Sequence, residues 1–452
     1  MSFEMLVRPM LARDWRTVSK NPLFWVIIGL FVAETIIAGT RTNRTYDSPS
    51  YLTLHFAGER LWTVPVAFTI LGSDHLRVIG QSVFAAASWS TLIWVLAARI
   101  SSRVLRILLA LAVVLVPLAF AVRQWNVEIL SESIFTSLVV LLLAAMIVFL
   151  RRATRWTLAA AAFVAFWLAF CRQAVVPVMF LVGMTVLAAA IWARNRRLVA
   201  ALGLAIIAMA IPAEVISLAG SSTIERVNSV TVIEDRVMTS PGELSYFVKH
   251  GMPVDKLVRE YRADPAVPLA VAADPPVARW VSAHFDSTYV GYIVLHPVST
   301  LSADLGQMAS LMTATDYYPT RTRPLPTDWV ANHLWGWHRL GFYGLFVLAA
   351  VTGVAGIATR DRRLAIERIV ALCAAVASVL YYAEVWLLSG TELTRLTMPA
   401  AVLLRVSLIS ITICSLDLLW NRSRQSQSGL VGAGPGPSSA LSTRRSSLPV
   451  SL

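Results

Sequence analysis

Asp47 is the acidic residue of this chain whose neighbours best fit a chemical role. It stands in Asp47-Ser48-Pro49-Ser50-Tyr51, shortly after the first long apolar run. Ser48 and Pro49 predict a helix start, as N-cap and first helical residue. A carboxylate beside a helix N-terminus stays ionised, so it can accept a proton or hold a metal ion. Two interpretations of Asp47 are open, because the same placement would also suit a residue that only caps the helix.

Glu132 is a second candidate, at the start of the fourth apolar run, with Glu128 one helical turn earlier. Carboxylates from separate loops that meet at one mouth of a helix bundle can share a divalent cation or divide acid and base roles. A simpler alternative is that Glu132 only stabilises its helix, because acidic side chains interact favourably with a helix N-terminus.

Arginines on the same side as Asp47 could bind an anion. Arg172 stands alone between two apolar runs, and its planar guanidinium matches a phosphate through paired hydrogen bonds. The alternative for Arg172 is snorkelling to lipid headgroups. Glu392 and Arg395 are three residues apart ahead of the last apolar run, where a local salt bridge is the simplest explanation.

Four more charged residues, Glu34, Glu214, Glu384 and Arg405, fall inside apolar runs. Ionisable side chains at membrane depth usually face a cavity or pair with one another, and they suggest function by default. Arg405 could form an ion pair with Glu384, contact a substrate, or belong to a relay in a transporter. These alternatives remain open at the level of the sequence.

The elements that must position these residues are transmembrane helices. Mean hydropathy is +0.65, 57% of residues are hydrophobic and 14% are charged, which is typical of an all-α polytopic membrane protein. The net charge of +13 arises largely from short arginine runs between apolar segments, so it indicates membrane topology and not a nucleic-acid partner. We predict about ten transmembrane helices, near Leu23–Gly39, Ser82–Ala98, Ile107–Val122, Ile134–Leu150, Thr157–Phe170, Val175–Ala193, Leu198–Ala219, Gly336–Ala358, Ile369–Leu388 and Met398–Leu418.

Alternate loops between these helices are rich in arginine, which predicts that they and both chain termini are cytoplasmic. The protein would then lie in the cytoplasmic membrane with its candidate site facing outward, in contact with membrane lipids. We predict a cytoplasmic N-terminal segment at 1–22, a transmembrane bundle at 23–420 and a disordered cytoplasmic tail at 421–452. Outer loops at 40–81 and 221–335 belong to the bundle, and the longer one should form short helices on the membrane surface.

Five short motifs follow one another along the chain. They are Asp47-Ser48-Pro49-Ser50-Tyr51, Trp62-Thr63-Val64-Pro65, Ser131-Glu132-Ser133-Ile134-Phe135, Leu168-Ala169-Phe170-Cys171-Arg172 and Glu392-x-x-Arg395. Read in order, these motifs resemble the GT-C superfamily of membrane glycosyltransferases, in the branch of protein O-mannosyltransferases and aminoarabinose transferases. Gln173 stands where this family often has proline, and a single Asp47 replaces the acidic pair common in its first loop.

The resemblance implies a GT-C-like architecture and inverting transfer of a sugar from a polyprenyl-phosphate donor. The acceptor would be a glycan, lipid or protein on the outer face of the membrane, as in cell-envelope glycan or glycoprotein synthesis. Asp47 would be the general base, and Glu132 would orient the acceptor or assist with a cation, so that a divalent cation held by these two carboxylates is an open alternative. Arg172 and Arg395 would bind the donor phosphate, while Tyr51, Glu392 and Arg405 would contact substrate.

Three other functions compete with this one. A multi-pass transporter or lipid flippase would use the same number of helices, with the intramembrane charges as a relay. A polysaccharide ligase or polymerase would place its chemistry in the long outer segment. A non-catalytic membrane partner would tolerate loss of Asp47.

Overall fold

The apolar runs of the sequence fold as helices in the computed structural model, which describes residues 21–38, 42–45, 47–53, 60–193, 195–220, 228–253, 275–314, 327–335, 339–359, 361, 363–389 and 393–432. Each predicted run overlaps a helix, as expected where lipid offers the backbone no hydrogen bonds. Over these residues there is no β-strand, and the one extended pairing is an isolated bridge between Asn43 and Glu128. The predicted all-α class is therefore confirmed for the described part of the chain.

The first half of the chain contains helices that precede and follow the candidate site residues in sequence. Short helices follow the first long helix, and longer helices come after them. The bounds are α1 Pro22–Ala38, α2 Ser48–Leu52, α3 Thr63–Leu71, α4 Asp74–Ala97, α5 Arg103–Leu118, α6 Phe120–Arg123, α7 Glu132–Arg151, α8 Arg155–Ala169, α9 Val176–Ala189 and α10 Arg196–Gly220.

The second half begins with the predicted outer segment and ends with three long helices. A π-helical turn at Ile233–Val237 comes first. The following helices are α11 Pro241–Lys249, α12 Pro275–Leu295, α13 Pro297–Thr313, α14 Asp328–Trp335, α15 Arg339–Ala358, α16 Ala365–Leu388 and α17 Leu393–Gly432. The last helix therefore extends past residue 420, where the predicted disordered tail was to begin.

Six helices in the described residues are long and apolar enough to cross a membrane, and a bent pair formed by α5 and α6 would be a seventh. Three further apolar helices, at Pro22–Ile37, Arg155–Ala169 and Gln173–Ala189, are shorter. These lengths support a helical membrane protein. The prediction of ten spans, the GT-C arrangement and the sidedness of the membrane stay predictions.

Helix packing places α7 and α17 in the middle of the bundle. Helix α17 packs on α16, α15, α5 and α13, while α7 packs on α4, α8 and α16. Helices α9 and α10 approach closely because Gly183 and Gly203 face each other. A Cβ atom on Gly203 would lie 2.7 Å from the backbone nitrogen of Leu187 and 2.9 Å from the carbonyl oxygen of Gly183.

A break between α5 and α6 shapes the wall beside the site. The two helices bend by 56° at Ala119, just after Pro117, whose ring removes a backbone donor. The backbone N–H of Phe120 donates to Oδ1 of Asn332 on α14 at 2.6 Å. Next to it, Arg123 forms an ion pair with Asp328 at 2.7 Å, so two residues of α14 fix the bend.

At the opposite end of the bundle, buried carboxylates join several helices. Asp417 on α17 is fully buried and accepts hydrogen bonds from the backbone N–H groups of Ser101 and Ser102 and from Arg363. Glu367 on α16 pairs with Arg151 at 2.7 Å. Arginines from separate predicted cytoplasmic loops thus meet at one end of the molecule.

Residues of the predicted outer segment form a second apolar cluster around Phe247 and Trp280. Arg236, in the π-helical turn, joins this cluster to the end of α16. Its guanidinium lies 3.6 Å from the ring centroid of Trp386, and Nη1 donates to the carbonyl oxygen of Trp386 at 3.1 Å. Cation–π contact and hydrogen bonding together secure the cluster to the bundle.

Candidate functional site

Asp47 occupies the N-cap position of α2, but its side chain makes no capping hydrogen bond. Its Oδ2 atom instead accepts from Nη1 and Nη2 of Arg395 at 3.1 Å each. The capping interpretation of Asp47 is therefore wrong, and so is the prediction of Ser48 as N-cap. Ser48 is the first residue of the helix, and its Oγ accepts from the backbone N–H of Thr45 at 2.8 Å.

Glu132 binds the same arginine from the other side. Its Oε1 atom lies 3.4 Å from Nε of Arg395 and 3.4 Å from Nη2 of Arg172. Glu132 is also the first residue of α7, so the helix dipole adds to its stabilisation as a carboxylate. Glu132 therefore lies at a helix N-terminus, as the simpler alternative predicted, but it also contacts two arginines.

Arg60 completes an alternating series of charges. Its Nη2 atom lies 3.6 Å from Oδ2 of Asp47, the same oxygen that Arg395 contacts. We call Arg60, Asp47, Arg395, Glu132 and Arg172, in that spatial order, the charge row. It contains three guanidinium groups and two carboxylates, so these side chains carry a net charge of +1 and favour an additional anion.

The charge row runs from the protein surface into the interior. The side chains of Arg60 and Asp47 are 27% and 24% exposed, whereas that of Glu132 is 1% exposed. A buried charge is tolerated only when it is paired, which explains why Glu132 has two arginines beside it. The exposed carboxylate of Asp47 is the one that a substrate can reach.

Several buried polar atoms near the inner end have no hydrogen-bond partner among the described residues. These atoms are Nη1 of Arg172, Oε2 of Glu132 and the hydroxyl of Tyr381. An unmade hydrogen bond at a buried group costs about 1–3 kcal/mol, so such atoms mark a place for water or for an oxygen-rich ligand. Arg172 and Tyr381 offer donors, which suits an anion.

A small cavity lies beside Glu132, with a volume of about 10 Å³ for the centre of a water molecule. That is room for about one water. Glu132 and Thr136 line it, and both Oε2 of Glu132 and Oγ1 of Thr136 are without a hydrogen-bond partner in the described structure.

Tyr51 lies beside the exposed end of the charge row. Its ring is 4.7 Å from the guanidinium of Arg60, and its hydroxyl is 3.2 Å from Oγ of Ser131, which immediately precedes Glu132. Tyr51 is buried, so it supports the row more directly than it could contact a substrate. Arg60 also donates to Oγ of Ser50 at 3.1 Å, which fixes its orientation.

Glu128 is buried behind the row and differs from Glu132 in its partners. Its Oε1 accepts from Nδ2 of Asn43 at 2.6 Å, and its backbone carbonyl accepts from Nε2 of Gln81 at 3.0 Å. The pKa of the Glu128 carboxyl is raised to about 7, chiefly by burial and to a smaller extent by the charge of Glu132, while the hydrogen bond from Asn43 acts to lower it. Glu128 therefore titrates near neutral pH.

The remaining predicted site residues lie elsewhere. Glu392 falls outside the described residues. Arg405 lies 3.9 Å from the ring centroid of Trp335 and donates to that residue's carbonyl oxygen at 2.9 Å, and no ion pair with Glu384 is found in the described structure. Glu34 accepts from Oγ1 of Thr327 at 2.8 Å. Glu34 and Arg405 therefore have separate partners, whereas Glu214 and Glu384 lie close enough to interact electrostatically.

Neither Arg60 nor the Arg123–Asp328 pair was predicted from the sequence. Arg60 stands in a stretch of the sequence with no apolar periodicity, and Arg123 and Asp328 are far apart in the chain. One signal was available for Arg123, which follows an apolar run interrupted by proline. A charge at that depth requires a partner, so this lone arginine indicates an ion pair.

A divalent cation between Asp47 and Glu132 does not fit these side chains. Both carboxylates are already paired with arginines, because Oδ2 of Asp47 and Oε1 of Glu132 each lie within 3.6 Å of two guanidinium groups. A cation there would have to displace Arg395 and would be repelled by Arg60 and Arg172. Among the described residues, no group of three or more His, Cys, Asp or Glu side chains is arranged to bind a metal ion.

A scan against protein-family models gives no match for this chain, and a comparison with curated proteins gives no significant match.

Proposed function

We propose that the protein is an inverting glycosyltransferase that moves a sugar from a polyprenyl-phosphate donor to an acceptor at the membrane surface. The observation that supports this proposal best is the charge row, which places an exposed carboxylate beside arginines with a net positive charge. Sugar transfer from a lipid phosphate needs both functions at one place. A base must take a proton from the acceptor, and cations must stabilise the departing phosphate.

Asp47 is the proposed base. All its described side-chain contacts fall on Oδ2, which leaves Oδ1 as the oxygen for an acceptor hydroxyl. As the acceptor oxygen forms a bond to the anomeric carbon, its proton passes to Oδ1. The bond from that carbon to the phosphate oxygen breaks, and the electron pair leaves with the phosphate. Attack from the face opposite the phosphate inverts the anomeric centre.

Arg395 and Arg172 are the proposed phosphate ligands. Nη1 of Arg172 has no hydrogen-bond partner in the described structure, and both guanidinium groups share Oε1 of Glu132, so they converge on one region. A phosphate that binds there competes with the carboxylates for the same donors. Donor binding would thus weaken the hold of Arg395 on Asp47 and make the carboxylate a better base.

A transporter or lipid flippase is the alternative. Glu214 and Glu384 lie close enough to interact electrostatically, but the described contacts join neither Glu34 nor Arg405 to them, so a relay through all four residues has less support than the charge row.

The test is transfer of radiolabelled sugar from polyprenyl-phosphate donors in membranes that contain the wild-type protein or Asp47→Asn. We expect Asp47→Asn to lose about 10²–10⁴-fold of the rate. Asp361→Asn is the matched control, because this exposed residue precedes α16 at the opposite end of the bundle. Undiminished transfer by Asp47→Asn would refute the base, and donor-independent lipid flipping without transfer would favour the alternative.

A further inference from the structure

The segment that carries Asp47 is attached to the residues before α7 by a short parallel pairing. The backbone N–H of Asn43 donates to the carbonyl oxygen of Val127 at 2.9 Å, and the N–H of Ile129 donates to the carbonyl oxygen of Asn43 at 3.2 Å. The side chain of Asn43 adds the bond to Glu128. Glu128 is fully buried, so this bond is protected from competition by water.

The pairing sets the position of both carboxylates of the charge row. Asp47 comes four residues after Asn43, and Glu132 comes four residues after Glu128. Because the two segments run parallel, the carboxylates arrive on the same side and reach the same guanidinium of Arg395. A second attachment follows at Tyr51 and Ser131.

Glu128 is itself fixed to the bundle from behind. Gln81 on α4 donates to its backbone carbonyl, so the residue that holds Asn43 cannot move without α4. The other charged group near Glu128 is Glu132, which is bound to Arg395 and Arg172. Glu128 therefore touches none of the arginines of the charge row in the described contacts, yet it holds the segment that carries Asp47.

We propose that Asn43 and Glu128 form a latch that fixes the Asp47 segment against the start of α7, which makes Glu128 a positioning residue for Asp47. The role of Asp47 as a base rests on the proposed function, but the latch itself does not. Loss of the Glu128 acceptor frees the Asn43 side chain and allows the segment to open, while glutamine at position 128 can still accept the bond through its carbonyl oxygen.

Opening can be measured without any enzymatic assay. Ser48 is fully buried within the segment, and Cys373 is the exposed cysteine, so Ser48→Cys in a Cys373→Ser background reports opening by its reaction with a water-soluble maleimide. We expect Glu128→Ala and Asn43→Ala to raise the labelling rate about tenfold or more, and Glu128→Gln to restore it. Buried Cys171 and Cys414 report global unfolding in the same sample.

The activity of the same variants at position 128, with Ser48 intact, distinguishes positioning from general stability. Glu128→Ala should lower kcat with little change in KM for the donor, and Glu128→Gln should recover kcat. Equal labelling of Ser48→Cys in all variants, or a rise matched by Cys171 and Cys414, would overturn the latch. Should Ser48→Cys itself open the segment, tryptic cleavage after the exposed Arg44 replaces labelling and must show the same order of variants. A labelling difference in a protein that transfers no sugar would support the latch and refute only the proposed function.

Discussion

Asp47 and Glu132 bind one guanidinium group, that of Arg395, Asp47 through Nη1 and Nη2 and Glu132 through Nε. Arg395 is the middle of the charge row, so its removal deprives both carboxylates of a partner at once. The two carboxylates differ in burial, and the consequences should differ accordingly. The side chain of Asp47 is 24% exposed to solvent, whereas that of Glu132 is 1% exposed.

Arg395→Gln is expected to destabilise the protein by about 3 kcal/mol, because the buried Glu132 carboxylate keeps only Arg172 as partner. Glu132→Gln in the same chain should recover much of this loss, since a neutral amide needs no counter-charge. Thermal unfolding in detergent, carried out as a double-mutant cycle with Glu132→Gln alone, measures the coupling. Additive effects of the two substitutions would contradict the arrangement described.

Arg172 should determine affinity for a lipid phosphate. Binding of farnesyl phosphate, followed by calorimetry, is expected to weaken about tenfold in Arg172→Lys and about a hundredfold in Arg172→Gln, because lysine keeps the charge but loses the paired donors. Arg103→Gln, at the opposite end of the bundle, is the control for general charge loss. Equal affinity of Arg172→Lys and wild type would show that donor geometry is unimportant here.

Glu128 should make stability depend on pH. Its pKa is raised in the folded protein from the usual 4.5 to about 7, so the folded state binds the proton more tightly than the unfolded state. The stability that this provides is complete below pH 4.5 and is lost as pH rises to about 7, by up to about 3 kcal/mol. Melting temperatures of wild type should fall across that window relative to Glu128→Gln, which does not titrate. Parallel melting curves for both proteins would contradict this prediction.

Asp417 offers a test of whether stability and ligand binding can be separated. Asp417→Asn removes a buried charge that accepts from Ser101, Ser102 and Arg363, and it is expected to cost about 2–4 kcal/mol. The affinity for farnesyl phosphate should not change, because the charge row lies at the other end of the bundle. A parallel loss of affinity would mean that effects at the row cannot be assigned to local contacts.

The sequence predicted the helices well and the site in part. Apolar length decides the helices, since a backbone in lipid has no alternative partner. It also placed Asp47, Glu132, Arg172 and Arg395 on one side, and the structure joins these four. It could not predict that Asp47 and Glu132 share Arg395, because hydropathy carries no information on which loop meets which. The prediction of Ser48 as N-cap was wrong for a related reason. Local propensity favours serine at that position, but the course of this segment also depends on its hydrogen bonds to the distant Val127–Ile129 backbone.

The charge row contains one more guanidinium group than carboxylates. In the proposed reaction this excess positive charge affects the release of the product. On the proposed reaction the donor is a phosphodiester with a single negative charge, which this excess neutralises. The product is a phosphomonoester, which carries about −1.5 to −2 at pH 7. Arg172 and Arg395 would therefore hold the spent lipid more tightly than they held the donor. We expect departure of polyprenyl phosphate to limit turnover of the wild type, whereas the transfer of sugar becomes limiting in variants that weaken the base.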